Sequence, residues 1–328
     1  MHIRPFLTIG FSAGLLAAAF SPALVSSASA AWPEKTIQLV VPFAAGGSTD
    51  TVARMVAAEM AKYTDQSIVV TNKPGAGSAI GSQVVARAEP DGYTILMGGQ
   101  ANVMVSLTYT KLSFDPVKDF APVGLVVDVP NLLAVNVDTP YKNLADLIRA
   151  AKAEPVQIAY ASAGNGTPAH LVCETFAINA GIRMTHVPYK GNAPAVTDLL
   201  GGQVPAMCNN LSGTLPYIRG DKMRILAVTG TKRSPAAPDV PTFAEAGIKG
   251  LNSGAWMAML APAATPKPVI ARLSEILGKA LESAELRKRL ADIGASTLAA
   301  TPAAAAERFN DDLQTLGPVV KRLGLKIE

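Results

Sequence analysis

The stretch Pro42-Phe43-Ala44-Ala45-Gly46-Gly47-Ser48-Thr49-Asp50 lies between an apolar run, Ile37–Val41, and a segment of helical periodicity that begins near Thr49. A strand, a tight glycine loop and a helix in that order point backbone N–H groups into solvent at a helix N-terminus. Several of those groups lack intrahelical partners and carry partial positive charge, so the site favours an anion. Two adjacent glycines also let the backbone approach a ligand closely, which a plain turn capped by Ser48 or Thr49 does not require. Asp50 falls in the first turn, where it complements the dipole or accepts from a ligand donor. The construction recurs further on: Ile158–Ala161 leads into Ser162-Ala163-Gly164-Asn165-Gly166-Thr167-Pro168 and then a helix. Thr167 before Pro168 reads as an N-cap with proline at the first helical position, leaving the N–H groups of Asn165, Gly166 and Thr167 to face an anion. One such loop in each half predicts two lobes closing on one negatively charged small molecule.

Working outward, strand-like runs alternate with helical patterns almost throughout, which marks an α/β architecture with largely parallel sheets. Helices are expected near 49–63, 79–88, 144–153, 169–180 and 193–200. Two long ones close the chain: 268–293, with a break near Ser283, and 302–323. Phe120–Val137, with Pro122 and Pro130 inside it, reads as a long crossing strand pair. The chain therefore enters one lobe, crosses to a second and crosses back. That gives a leader at 1–30, one lobe from 31–128 with 253–328, and the other from 129–252. A cleft between lobes is the default ligand site, and two crossings make a hinge.

The leader is read from its weakly basic start, the apolar run Phe6 to Phe20 and Ala28-Ser29-Ala30, an A-x-A cleavage site. The run is too short to span a bilayer. The expected product is an exported protein cleaved after Ala30, most simply periplasmic. Of the 29 Lys and Arg residues only Arg4 lies in the leader, leaving 28 against 25 acidic side chains. That small, scattered excess excludes a nucleic-acid surface and would steer anions only weakly. Cys173 and Cys208 remain, either bridged, as an oxidising compartment allows, or packed as two apolar thiols.

No Walker A sequence, G-x-S-x-G elbow, H-E-x-x-H or paired-cysteine metal site is present. Beyond the leader there are two histidines, His170 and His186. Ser48 has no companion base in sequence, so an enzyme is not expected. Gly75-Ala76-Gly77…Gly81 matches a dinucleotide fingerprint only loosely, with the third glycine misplaced, and no cofactor is expected. His170 reads as packed or solvent-facing in the absence of metal-type partners, and Lys190 as a surface lysine or a carboxylate partner.

Several stretches resemble the tripartite tricarboxylate transporter solute receptors, the Bug-type periplasmic binding proteins. They are Pro42-Phe43…Gly46-Gly47…Asp50, Asn72-Lys73-Pro74-Gly75-Ala76-Gly77, Pro90-Asp91-Gly92-Tyr93-Thr94 and Phe114-Asp115-Pro116-Val117-Lys118-Asp119-Phe120. With them go Ser162-Ala163-Gly164-Asn165-Gly166, Val187-Pro188-Tyr189-Lys190-Gly191 and Leu199-Leu200-Gly201-Gly202-Gln203-Val204. The resemblance implies a two-lobed type II periplasmic binding protein fold, each lobe a mostly parallel sheet flanked by helices. It also implies a monomeric receptor that holds an organic carboxylate through backbone N–H groups and delivers it to the membrane subunits of a transporter. Ligand contact is thereby implied for Phe43, Gly47, Ser48, Thr49 and Asp50, and for Ser162, Asn165, Gly166, Thr167 and His170. Two stretches depart from the usual pattern. Gly98-Gly99-Gln100-Ala101-Asn102-Val103-Met104 replaces a His-Ala-x-Asn-Pro type segment, and Met207-Cys208-Asn209-Asn210 stands where many relatives have Met-Phe-Asp-Asn. Cys208 would leave more room than Phe, and a neutral Asn209 would tolerate a second carboxylate. The competing readings are an orphan receptor presenting its ligand to a sensor kinase and an enzyme on the same fold.

Overall fold

The computed structural model describes residues 1–2, 32–154, 157–218 and 222–328. The expected leader and its cleavage point at Ala30 lie outside them. From Trp32 onward, β1 (Ile37–Val41), α1 (Ser48–Met60), β2 (Ile68–Asn72), α2 (Ala79–Ala86), β3 (Thr94–Gly99) and α3 (Gln100–Thr108) form successive strand–helix units. β1 pairs in parallel with both β2 and β3. β4 (Phe120–Val129) then continues into β5 (Asn131–Asn136) with only Pro130 between them. Proline has no N–H for a ladder, so pairing stops there and the chain changes sheets.

The second sheet is assembled from β5 with α4 (Leu144–Ala153), β6 (Ala159–Ser162), α5 (Pro168–Ala180), β7 (Thr185–Pro188), α6 (Asn192–Leu200), β8 (Ala206–Asn210), α7 (Leu215–Ile218) and β9 (Met223–Val228). The chain returns as β10 (Ala255–Pro262) and ends with α8 (Lys267–Glu282), α9 (Ala284–Asp292), β11 (Ser296–Thr297) and α10 (Pro302–Leu323). The strand orders are β11-β4-β10-β3-β1-β2 and β7-β6-β8-β5-β9. β1 to β4 share one direction in the first sheet, and β6 to β9 share one in the second. The opposed strands are the return strand β10 with short β11, and the crossing strand β5. The parallel expectation therefore holds for the strand–helix units, and the crossings supply the exceptions.

Alternation along β5 shows how the second sheet is buried on both faces. Leu132 and Ala134 join the core shared with the first sheet, while Leu133 and Val135 face a second core under α4 and α5. A period of two side chains puts successive residues on opposite faces. The predicted break near Ser283 is a helix boundary, where its side chain accepts from the Leu286 N–H and starts α9. α3 was not anticipated. Its buried residues include Gln100, Asn102 and Thr108 beside apolar ones, so it carries little helical periodicity, and its start is stabilised by Asn102 Oδ1 accepting from the Gly99 N–H at 3.2 Å.

Cys173 on α5 and Cys208 on β8 form a disulfide with their Cα atoms 5.9 Å apart. It belongs to the second core, beneath the sheet.

Candidate ligand-binding site

The loop after β1 is held open by Asp50. Its carboxylate accepts from the Gly46 N–H at 2.9 Å, from Arg54 Nε at 2.9 Å and from Asn72 Nδ2 at 2.9 Å. Burial pushes the Asp50 carboxyl up, but these donors outweigh it and hold it below the usual carboxylate range. Asn72 also donates to the Phe43 carbonyl at 3.0 Å, tying the loop to β2. Asp50 is thus a brace for the loop, its oxygens already engaged. At α1 the N-cap is Gly47, which offers no side chain to the first-turn N–H groups. The Ser48 hydroxyl is hydrogen-bonded to Ser212, beyond β8 of the other sheet.

The loop after β6 is folded on itself. Ser162 Oγ accepts from the Gly164 N–H at 3.1 Å and bonds His186 Nε2 at 2.7 Å. The Gly166 N–H donates to His170 Nδ1 at 3.2 Å, and the Thr167 N–H to the Gly164 carbonyl at 3.3 Å. Thr167 Oγ1 caps α5 by accepting from the His170 N–H at 3.3 Å. The Gly166 and Thr167 donors expected to face an anion are therefore already partnered inside the loop. His170 and His186 stack face to face, centroids 3.9 Å apart, with Tyr160 on the far side of His186 at 4.9 Å. Burial pulls His170 down to about 4. Burial, with the neighbouring His170, pulls His186 down to about 3. Both rings are neutral, and they act as a prop beneath the loop.

The two halves meet at a small cavity of about 40 Å³. Phe43, Gly47, Ser48 and Thr49 line it from the first loop, and Ala163, Thr167, Pro168 and Ala169 from the second. Asp50, Ser162, Asn165, Gly166, His170 and Asn209 are not in that lining. Asn165 is exposed, and its carbonyl sits against Gly77, 2.2 Å from where a Cβ there would lie. The Gly75–Gly77 turn is thus a rest for the opposing loop. Lys190 is exposed and outside the cavity, although its carbonyl accepts from the Ala44 N–H at 3.2 Å.

The far-wall expectation is corrected. Cys208 points into the second core, because Met207 joins the core shared with the first sheet and its neighbour takes the opposite face, so Cys208 adds no room to the cavity. Asn209 is fully buried, and its Oδ1 accepts from the Asn210 N–H at 2.7 Å. The next residue, Asn210, reaches the cavity instead.

Residues the sequence reading missed are Asn192 and Asn210, with Gly98, Ala101, Ala255 and Met257, while Trp256, which it named beside Phe43 as a candidate holder of an aromatic acid, also lines the cavity. Asn192 opens α6 after Gly191, whose φ of +136° and approach to the Ala44 nitrogen, 2.9 Å from a notional Cβ, exclude a side chain. This is a third strand–glycine–helix turn, and its glycine was the available signal. α6 also lacks a side-chain cap, and Gly47 lies 3.6 Å, from its notional Cβ, from the Asn192 Cβ. Two uncapped helix N-termini, α1 and α6, therefore abut, and both line the cavity. No charged side chain lines it among the described residues. Behind it, sharing Pro168, opens a cleft of about 520 Å³ whose lining includes Lys249 and Arg322 and no acid. Trp256 is fixed from α10: Asp312 Oδ2 accepts from its Nε1 at 2.7 Å and from Gln100 Nε2 at 2.9 Å, while Arg308 ion-pairs Asp312 at 3.3 Å.

A family model described as the tripartite tricarboxylate transporter family receptor matches residues 52–325. This chain belongs to that family. Among similar solved structures, the periplasmic binding protein BugD shares 38% identity at a TM-score of 0.87, covering 90% of this chain and 100% of its own. A Rhodopseudomonas palustris protein solved with adipate shares 35% identity at a TM-score of 0.86, covering 89% and 98%. MatC from the same organism, solved with malate, shares 35% at 0.85, covering 88% and 100%. These likenesses give the receptor the two-lobed periplasmic binding protein fold. Among its described residues no helix is long and apolar enough to cross a membrane.

Proposed function

We propose that this receptor captures a small organic carboxylate between its two sheets and delivers it to the membrane subunits of a tripartite tricarboxylate-type transporter in the periplasm. One observation carries the reading: the uncapped N-termini of α1 and α6 both line a small cavity that holds no charged side chain. Unpartnered N–H groups and two dipole ends supply the positive potential without a fixed cation. Charge-assisted hydrogen bonds from backbone N–H are stronger than neutral ones, and more so in a low local dielectric. The chain performs no chemistry on the ligand: the neutral histidine pair is enclosed beneath a loop, and Ser48 Oγ is bonded to a second serine, not to a base. Lys249 and Arg322 in the outer cleft favour the approach of anions. Adipate and malate, bound by two relatives, support a dicarboxylate as the ligand class.

The test is thermal unfolding of the processed protein against mono-, di- and tricarboxylates and their amides. At one hundred times Kd a ligand adds about 2.7 kcal/mol, which raises Tm by roughly 5 °C for a chain of this size. A shift with an acid and none with its amide is the expected result. Equal shifts with acid and amide, or none with any acid, would overturn the reading.

A further inference from the structure

Three asparagines form a relay that ends at the cavity. Asn210 Nδ2 donates to Asn131 Oδ1 at 2.8 Å, which leaves Asn210 Oδ1 facing Asn192. Asn192 Nδ2 donates to that oxygen at 3.3 Å. The arrangement sets the direction of the last amide: its nitrogen must face Asn210, so its oxygen is the free end. Asn192 is 6% exposed and lines the cavity, and its Oδ1 is buried without a hydrogen-bond partner. A buried acceptor left unmet is unfavourable, and it is unusual in a folded protein unless something else meets it.

The atom also sits where an anion would be held. Asn192 is the first residue of α6, so its side chain projects beside the N–H groups that the α1 terminus abuts. A carboxylate held at those N–H groups would keep the rest of its ligand in the cavity that Asn192 lines. The backbone offers only donors at that point, so the protein is matched to the carboxylate and mismatched to anything but a donor beside it.

We propose that Asn192 is a specificity-determining residue that selects carboxylates bearing a hydroxyl or amino group near the carboxylate. The inference rests on the carboxylate reading above and names the ligand class within it. A hydroxyl or ammonium donates to Asn192 Oδ1 and completes the relay, whereas a methylene in the same place leaves the acceptor orphaned. A site built to hydrogen-bond a polar group rejects the analogue that lacks it more strongly than an apolar pocket rejects an extra methylene.

The experiment compares affinities by calorimetry for matched pairs: malate and aspartate against succinate, 2-hydroxyglutarate against glutarate, and citrate against propane-1,2,3-tricarboxylate. At least one donor-bearing acid is expected to bind ten-fold or more tightly than its plain partner. In Asn192→Ala the preference falls to within about two-fold, read as the ratio of the two affinities within each pair. A cooperative melting curve and a parental far-UV circular dichroism spectrum show that the variant folds. Equal binding within every pair by the parent protein, or a preference undiminished in Asn192→Ala, overturns the inference while leaving the carboxylate reading intact. Absence of binding by every acid, paired or not, overturns both.

Discussion

Lowering the pH from 7.5 to 5 is expected to remove about 4 kcal/mol of stability through His170 and His186 alone. The two rings lie stacked at 3.9 Å, and burial holds His170 near 4 and His186 near 3. Unfolded, each returns to an ordinary value of about 6.5. Both values are depressed in the folded state, so below about 6.5 the unfolded chain takes up protons that the native protein refuses, and stability falls as pH falls. Above about 6.5 neither state binds the protons and the effect vanishes. Each histidine contributes about 1.4 kcal/mol per pH unit, hence about 2 kcal/mol by pH 5 and twice that for the pair. The geometry gives the same sign. Protonated Nδ1 of His170 cannot accept from the Gly166 N–H, and two charged imidazoles would face each other. Urea unfolding at several pH values would compare the parent with His170→Asn/His186→Gln, whose amides replace the ring nitrogens that make the bonds. Carboxylates held low, such as Asp50, titrate below this window and cancel between the two proteins. The double variant should lose most of the slope between pH 6.5 and 5. An identical slope in both proteins would refute the claim that the pair is held neutral.

Removing the Cys173–Cys208 bridge, which closes a separation of 35 residues, should lower stability by about 4 kcal/mol. Tm should drop by roughly 8 °C in Cys173→Ala/Cys208→Ala, while ligand affinity stays within two-fold or so because the bridge lies under the far face of the sheet; an unchanged Tm contradicts this. Gly77→Ala places a Cβ 2.2 Å from the Asn165 carbonyl oxygen at a φ of +61°. It should destabilise the free protein by about 1 kcal/mol and weaken ligand binding about ten-fold, since the opposing loop can no longer seat; calorimetry showing parental affinity would count against closure at that contact. Asp312→Ala strips Trp256 and Gln100 of their shared acceptor. It should cost about 3 kcal/mol and, in a Trp32→Phe background, shift the Trp256 emission to the red. An unmoved spectrum would show that the indole is held by packing alone.

The candidate site was legible where function and local chain geometry coincide. Gly46-Gly47 after an apolar strand announced a helix N-terminus free to meet an anion, and Phe43, Gly47, Ser48, Thr49 and Thr167 do line the cavity. The reading went astray where a side chain had two possible partners. The resemblance implied ligand contact for Asp50 and His170, yet Arg54 and Asn72 engage Asp50, and His170 is packed with Gly166 as its residue-level reading allowed. Cys208 was misplaced for a related reason. Which face a strand residue takes depends on register, and a one-residue difference sends a side chain to the opposite core.

By itself the sequence determined the order of strand–helix units, the crossing at Pro130, the helix break at Ser283 and the glycine turns. Each depends on backbone conformations or periodicities a few residues long. The Thr167 cap of α5 was also legible there; only the tertiary structure decided that α6 joins α1 at the cavity. Thr167 closes α5 with its own side chain, while Gly191 brings α6 against the first loop from more than a hundred residues away. It also decided that Trp256 and Asn192 meet at one cavity, because contacts between residues so far apart in the chain follow from how two sheets pack, and no local pattern encodes them.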